Sequence, residues 1–226
     1  MDWTSGSTPD IDPNEMADDT LVNPPLDAIP PIEGDPPRIG VLASGSGSNF
    51  EAIAQTVVDG DLDVDLACLI CNNPDAKVIS RAQRFGVESL RVDHRAYPNR
   101  EAFDADVLEL LESFDVDWVV MAGWMRLVTA GFIDAFEGRI LNIHPSLLPS
   151  FRGLDAVGQA LEAGVRITGV TVHHVVREMD AGPIVAQAAL PILPGDDRAS
   201  LHERIQNQEH ALFPQAIALA VNAARQ

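Results

Sequence analysis

A short polar string near the middle of the chain has the residue types that can stabilise an oxyanion. Asn142 and His144 are two residues apart in an apolar run, so on a strand their side chains point to the same face. Pro145 cannot donate to a sheet ladder, which predicts that the strand ends there with His144 at its carboxyl end. An imidazole can be charged near neutral pH, and a carboxamide both donates and accepts hydrogen bonds. The pair is therefore suited to hold a carbonyl group whose oxygen gains negative charge.

A glycine-rich loop before the first predicted helix could bind an anion. Two glycines alternate with serines in residues 44–49, directly after an apolar run. Such a loop lets the backbone approach an anion, and the helix N-terminus adds free N–H groups and a positive dipole. A dinucleotide-binding loop would have a third glycine where the chain has Phe50, so a monophosphate fits better. Ser48 and Glu51 also fit a capping box. A tight turn with no ligand is the alternative.

The elements that must position these residues alternate between strand and helix from Arg38 onward. Apolar runs predict strands, and apolar residues spaced by three and four predict helices. The alternation predicts an α/β fold of Rossmann-like type, with a mostly parallel twisted sheet flanked by helices and ligands bound beyond the carboxyl ends of its strands. Two late strands with no helix between them predict an antiparallel extension at one edge. The predicted strands cover about residues 38–43, 64–71, 88–92, 118–121, 139–143, 167–176 and 183–191, and the helices about 50–58, 76–85, 103–114, 155–163 and 201–219.

The charge of the chain excludes some classes of partner. The 226 residues include 34 acidic and 15 basic side chains, for a net charge of −19. Such a surface repels nucleic-acid phosphates, so no nucleic-acid partner is expected. No apolar stretch is long enough for a membrane helix and no secretory signal is readable, which predicts a soluble cytoplasmic protein without a membrane partner.

Lys77 is the only lysine. This composition resembles that of proteins adapted to molar salt, where screening removes self-repulsion; an ordinary acidic protein is the alternative.

Two further regions can be interpreted from composition and spacing. Residues 1–36 contain nine acidic side chains and no Lys or Arg, which predicts a disordered, acidic, proline-rich tail before a domain at 37–226. Cys68 and Cys71 form a C-x-x-C pair, but residues three apart on a strand face opposite sides. We therefore expect two buried thiols and no metal site.

Several motifs together resemble the folate-dependent formyltransferases. The string Asn-Ile-His-Pro-Ser-Leu-Leu-Pro at 142–149 is similar to the hallmark of that family, and the similarity runs through nearly the whole chain after Arg38. Within the family, the chain is most similar to the branch that formylates glycinamide ribonucleotide. The other motifs are Gly-Ser-Asn at 47–49, Gly-Trp-Met-Arg-Leu at 123–127, Met-Asp-Ala-Gly-Pro at 179–183 and Gln-Glu-His at 208–210.

The resemblance implies an enzyme of de novo purine biosynthesis and a role for each matching residue. The formyl group of the co-substrate 10-formyltetrahydrofolate would pass directly to a small phosphorylated amine, with no metal, in a monomer or a homodimer. Asn142 and His144 would hold the formyl oxygen, and Asp180 would be the acidic partner of His144. The implied substrate-binding residues are Gly47, Ser48 and Asn49 for the phosphate, and Gln206 and Glu209 for the ribose. The implied folate-binding residues are Arg100, Met125, Arg126, Leu127, Val128, Asn142, Glu178, Met179 and Asp180.

Two other functions are compatible with parts of the sequence. A 10-formyltetrahydrofolate deformylase shares the central string but gives the formyl group to water, and residues 150–153 look somewhat like that relative. Deformylases carry a regulatory domain before the catalytic one, for which residues 1–36 are too short and polar. A Rossmann-type domain would bind NAD at the first loop, but it leaves Asn142 and His144 unexplained.

Residues near the predicted site allow two smaller predictions. His173 and His174 are adjacent and face opposite sides of a strand, so we expect a structural role near the site for the first and a packing or surface role for the second. Pro214 cannot donate to the carbonyl group of His210, which predicts that the last helix bends or breaks beside Glu209.

Overall fold

The computed structural model describes residues 20–25 and 28–226. The described residues form eight strands and six α-helices. The strands are β1 (Leu21–Asn23), β2 (Arg38–Ala43), β3 (Asp65–Cys71), β4 (Ser89–Arg91), β5 (Trp118–Met121), β6 (Ile140–His144), β7 (Ile167–His174) and β8 (Ile184–Pro191). The helices are α1 (Ser48–Val58), α2 (Val78–Arg84), α3 (Arg100–Ser113), α4 (Ala130–Ala135), α5 (Ala156–Ala163) and α6 (Arg198–Ala224).

All eight strands lie in one sheet, in the order β1-β8-β7-β6-β5-β2-β3-β4. Five neighbouring strands, in the spatial order β6-β5-β2-β3-β4, pair in parallel. Their apolar residues are buried because helices cover both faces of the sheet. The carboxyl ends of parallel strands point to one edge of a sheet, so the loops after β2, β5 and β6 open side by side. The predicted α/β fold is confirmed.

The other half of the sheet is antiparallel. β7 pairs antiparallel with both β6 and β8, and β1 pairs antiparallel with β8. The predicted extension at one edge is therefore confirmed, but it has a third strand, β1, that the sequence pattern did not predict. β6 is the boundary strand, since it pairs in parallel with β5 and antiparallel with β7.

Two apolar clusters cover the two faces of the sheet. One cluster includes the buried side chains of α1 and α6, and the other includes those of α3 and α4. Cys71 belongs to the first cluster and Cys68 to the second, so the two thiols lie on opposite faces as predicted. Both are free and buried, and burial raises the pKa of Cys68 to about 12.

The segment before β2 differs from the predicted disordered tail. Over residues 20–25 and 28–36 it lies on the domain, with β1 at the edge of the sheet and Ile32 buried at 8% exposure. Residues 1–19 and 26–27 lie outside the described residues. The physical reason for the difference is that a few apolar side chains among the prolines reach the apolar surface beside α6, and proline reduces the entropy lost on ordering.

Side chains of α6 hold this segment through its backbone. The Gln215 amide donates to the carbonyl oxygen of Pro25 at 2.7 Å. Asn222 donates to the carbonyl oxygen of Pro31 at 2.9 Å and accepts from the N–H of Glu33 at 3.0 Å. These contacts fix the chain direction towards β2.

The last helix runs unbroken through its internal proline. α6 has 27 residues with Pro214 inside it, so the helix does not break beside Glu209. None of the helices in the described residues is both long and apolar enough to cross a membrane.

Candidate active site

Three loops open at the carboxyl edge of the sheet, after the adjacent strands β2, β5 and β6. The loop after β2 is tied to the loop after β5 by two hydrogen bonds of Ser44. Its N–H donates to the carbonyl oxygen of Gly123 at 3.1 Å, and its hydroxyl accepts from the N–H of Met125 at 2.9 Å. The glycine-rich loop and the predicted folate loop therefore form one wall.

The glycine-rich loop enters α1 through a left-handed residue. Gly47 is the N-cap at φ 76°, and a Cβ there would collide with Val78, so glycine is required. Ser48 is the first helical residue and does not cap the helix, so the predicted capping box is wrong. Glu51 instead forms ion pairs with Arg81 and Arg84 on α2. The N–H groups of the first turn of α1 therefore have no capping side chain and point to the loop.

Asn49 and Glu209 meet below this loop although 160 residues separate them. The Asn49 amide donates to a Glu209 carboxylate oxygen at 2.8 Å, and both side chains are buried. Burial raises the pKa of Glu209, and the hydrogen bond from Asn49 partly opposes the rise. Gln206 lies three residues earlier on α6, half-buried, on the same side of the helix. We call the group formed by Gly47, Ser48, Asn49, Gln206 and Glu209 the anchoring end.

His144 and Asp180 lie together at the end of β6. His144 is only 6% exposed, and its Nδ1 is 3.6 Å from a carboxylate oxygen of Asp180. Its Nε2 is 2.9 Å from the carbonyl oxygen of Phe151, and a carbonyl can only accept, so Nε2 carries a proton. The same oxygen of Asp180 accepts from the N–H of Gly153 at 2.8 Å. The pair is therefore held by two backbone groups of one loop.

Asn142 contacts His173 across the antiparallel pair of β6 and β7. The register places the two residues opposite each other, with Asn142 Nδ2 3.2 Å from His173 Nε2. His173 Nδ1 donates to the carbonyl oxygen of His174 at 2.9 Å, so Nε2 of the neutral ring accepts from Asn142. Burial lowers the pKa of His173, which favours this neutral form. His173 Nε2 also lies 3.8 Å from Asp180, but without a proton it cannot donate to the carboxylate, so the ring of His173 orients Asn142 and only lies beside Asp180. We call Asn142, His144, His173 and Asp180 the reaction end.

The loop after β5 presents apolar and basic side chains beside these two ends. The guanidinium of Arg126 lies 4.9 Å from the centre of the Phe103 ring, which stacks on Trp124. Met125 and Leu127 are 72% and 54% exposed, and Val128 is half-buried.

Arg100 begins α3 one turn before Phe103, behind the predicted cap Asn99, whose side chain accepts from Ala102 at 2.8 Å. Arg100 is exposed, and α3 brings its first turn close to the predicted folate loop.

The loop after β7 carries the remaining predicted residues. Glu178 is exposed and pairs with Arg152 at 2.7 Å, and Met179 lies half-exposed near Gly153. His174 packs on Trp118, as expected for a packing residue.

Sequence reasoning missed the backbone contacts that hold the reaction end. The carbonyl group of Phe151 and the N–H of Gly153 are backbone groups, so no side-chain type predicts their contacts, and residues 150–153 show only a resemblance to the family. The one available signal was Gly153, which has φ 81°, a conformation that favours glycine.

The arrangement combines a glycine-rich loop at a helix N-terminus with a buried His–Asp pair and an oriented carboxamide on a Rossmann-like sheet. These are groups that a group-transfer enzyme can use to bind an anion and to move a proton. Within the described residues, no group of three or more His, Cys, Asp or Glu side chains could hold a metal ion. Residues 37–217 match the family model described as "Formyl transferase". The chain belongs to this formyl transferase family.

Known proteins with similar sequences and structures agree with that membership. The phosphoribosylglycinamide formyltransferase of Bacillus subtilis (strain 168) is 44% identical over 180 residues, which are 80% of this chain and 92% of the relative. The crystal structure of glycinamide ribonucleotide transformylase 1 from Symbiobacterium toebii has a TM-score of 0.83 at 48% identity and covers 84% of this chain and 90% of that one. The trifunctional purine biosynthetic protein adenosine-3 of Gallus gallus is 40% identical over 195 residues, and the chain spans only 19% of its length.

Proposed function

We propose that this enzyme transfers the formyl group of 10-formyltetrahydrofolate to the amine of glycinamide ribonucleotide. The observation that carries the proposal is the buried His144–Asp180 pair beside Asn142, on a strand next to the wall that carries the anion-binding loop. The names of the similar proteins from Bacillus subtilis and Symbiobacterium toebii support the same reaction.

The reaction end would stabilise the negative charge that develops on the formyl oxygen. The Nδ2 group of Asn142 has a second N–H besides the one directed to His173, and that N–H can donate to the formyl oxygen without rearrangement. A protonated ring at His144, whose Nε2–H donates to Phe151, would add positive charge beside the same oxygen. When bound, 10-formyltetrahydrofolate supplies the formyl group and a nitrogen that leaves with a proton. The acceptor amine forms a C–N bond and loses a proton, while the original C–N bond of the formyl group breaks.

Asp180 would serve the proton transfer. Its carboxylate lies 3.6 Å from Nδ1 of His144, a distance that one small displacement brings into hydrogen-bond range. The hydrogen bond from Gly153 keeps the carboxylate turned to this position. We propose that Asp180 receives the amine proton and that His144 helps to return it to the leaving nitrogen.

The anchoring end would hold the phosphorylated substrate. The backbone N–H groups at Gly47, Ser48 and Asn49 suit a phosphate, and the buried carboxyl group of Glu209 suits ribose hydroxyls. Asn49 Oδ1 is buried without a hydrogen-bond partner in the part of the chain that the structure describes, so it is open to a ligand donor. Gln206 would add a polar contact one turn away.

The loop after β5 would bind the folate. Met125 and Leu127 expose apolar surface to the same edge, which suits an aromatic ring system. Arg126 Nε is buried without a hydrogen-bond partner among the described residues, and a carboxylate would satisfy it. Arg100, Val128, Glu178 and Met179 would border the same ligand.

We also propose that the enzyme works in the cytoplasm at high salt. The net charge of −19 and the single lysine favour this environment, since at about 1 M salt the Debye length is only about 3 Å.

The test is formyl transfer from 10-formyltetrahydrofolate, measured with and without glycinamide ribonucleotide from low to molar salt. We expect product only when the amine is present, with higher activity at molar salt. Equal release of formate without the amine would establish the deformylase alternative instead. Activity that falls steadily with salt would overturn the salt proposal alone.

A further inference from the structure

The loop between β6 and α5, residues 145–155, contacts both members of the His144–Asp180 pair through its backbone. The carbonyl oxygen of Phe151 accepts from His144 Nε2 at 2.9 Å. Two residues later, the N–H of Gly153 donates to Asp180 at 2.8 Å. A small change in this loop would therefore move both side chains relative to each other.

The second half of this loop has an unusual backbone. Phe151, Gly153 and Asp155 have φ angles of 57°, 81° and 58°. Residues other than glycine rarely adopt this left-handed region, so the surroundings must hold the loop in place.

The first half of the loop has support of its own. The buried hydroxyl of Thr171 donates to the carbonyl oxygen of Ser146 at 2.7 Å and accepts from the N–H of Leu148 at 3.1 Å. These bonds end before the residues that contact the catalytic pair. The exposed ion pair of Arg152 and Glu178 touches the second half, but exposed pairs hold geometry weakly.

Gln159 on α5 holds the second half directly. Its Nε2 donates to the carbonyl oxygen of Arg152 at 3.1 Å and to that of Leu154 at 2.9 Å. The two carbonyl groups flank Gly153, so one carboxamide spans the residue that orients Asp180. α5 is itself anchored, since Asp155 accepts from the N–H of Gly158 at 3.2 Å and pairs with Arg198 at 2.6 Å.

We propose that Gln159 is a positioning residue for the reaction, acting through the backbone of residues 151–153 on His144 and Asp180. The kinetic part of this inference rests on the proposed formyl transfer. Among the described residues, the side-chain hydrogen bonds of Gln159 go to Arg152 and Leu154 and to neither member of the pair, and the residues of the anchoring end lie on other elements. Loss of its two hydrogen bonds should therefore lower kcat and leave the KM for glycinamide ribonucleotide unchanged.

The kinetic test compares two variants with a matched control. Gln159→Leu removes both donors, and Gln159→Glu keeps the size and polarity of the side chain but also removes them. We expect each to lower kcat roughly 10- to 100-fold, because misplacement of about 1 Å can cost that much, with KM for glycinamide ribonucleotide within about twofold. Gln83→Leu makes the same change at an exposed position on α2 and should match the wild type.

A structural readout separates positioning from general stability. In the wild type at alkaline pH, the NMR signals of the His144 ring nitrogens should report a proton on Nε2, and both Gln159 variants should report a mixture of tautomers. A folded variant with wild-type kcat and an unchanged His144 spectrum would overturn the inference. A wild type that does not formylate glycinamide ribonucleotide would overturn the proposed function, and the NMR comparison would still decide whether Gln159 orients His144.

Discussion

The anchoring end and the reaction end of the site are built in different ways. At the anchoring end, the Asn49 side chain is hydrogen-bonded to Glu209, and both residues sit on regular helices. At the reaction end, backbone groups of an irregular loop hold His144 and Asp180. The difference teaches that the proposed substrate-holding residues are placed by regular helices, whereas the proposed catalytic pair is placed by a loop that neighbouring side chains must support.

Burial also acts on the two ends with opposite consequences. It favours the neutral form of any ionisable group, so it raises the pKa of Glu209 and lowers the pKa of His173. Acidification should therefore stabilise the folded state through Glu209 at the anchoring end and destabilise it through His173 at the reaction end.

The largest effect is expected from breaking the reaction end. His144→Ala and Asp180→Asn should each lower kcat by about 10²- to 10⁴-fold, because each removes an acid–base or charge-stabilising group. Binding of the substrate phosphate should be preserved, since the anchoring end is untouched. Steady-state kinetics and calorimetric binding of glycinamide ribonucleotide check both expectations.

A matched control is His202→Ala, which removes an exposed histidine from α6 and should leave kcat unchanged. Near-wild-type turnover in Asp180→Asn would remove Asp180 from the mechanism.

An intermediate effect is expected from Glu209→Gln. The amide keeps an oxygen that accepts from Asn49 but removes a buried charge, so the free energy of unfolding at neutral pH should rise by about 1 kcal/mol. For a chain of this size, that corresponds to a rise in Tm of about 2–4 °C. The KM for glycinamide ribonucleotide should rise about tenfold, since about 1.4 kcal/mol of ribose binding is lost.

Kinetics and a thermal melt measure these two changes on the same sample. Glu203→Gln, an exposed change on the same helix, should alter neither quantity. A lower Tm in Glu209→Gln would contradict the assigned cost of burying the charge.

The smallest effect is a difference in pH dependence between the two ends. The pKa of Glu209 is raised from 4.5, so its stabilising contribution is present below pH 4.5 and is lost as the pH rises through the folded value. The pKa of His173 is lowered from 6.5, so the folded state loses stability as the pH falls below 6.5. Each effect is at most about 1.4 kcal/mol per pH unit.

Urea unfolding from pH 4.5 to 8 of the wild type, Glu209→Gln and His173→Gln checks this prediction. The free energy of unfolding of Glu209→Gln minus that of the wild type should increase as the pH rises. The free energy of unfolding of His173→Gln minus that of the wild type should increase as the pH falls. Parallel curves for the three proteins would refute the opposite effects of burial.

Much of the fold could be predicted because its signals are local. The apolar runs of β2, β3 and β5 and the apolar spacing of α3 depend only on neighbouring residues, and their predicted positions agree with the structure to within a few residues. The short helix α4 and the strand β1 were missed, because six or three residues give too little periodicity. Residues 20–25 and 28–36 lie on the domain although their composition predicts a disordered tail, because their few apolar residues are stabilised by contacts near α6 that composition does not reveal.

The sequence by itself determined the parallel sheet, the placement of Asn142 and His144 on one face at a strand end, and the family-like motifs. Those features follow from alternation along a strand and from the backbone restrictions of glycine and proline. Only the tertiary structure decided that Asn49 meets Glu209, that His173 faces Asn142, and that the backbone of residues 151–153 holds His144 and Asp180. Contacts between residues far apart in sequence, and hydrogen bonds of backbone groups that every residue carries, leave no mark in the order of side chains.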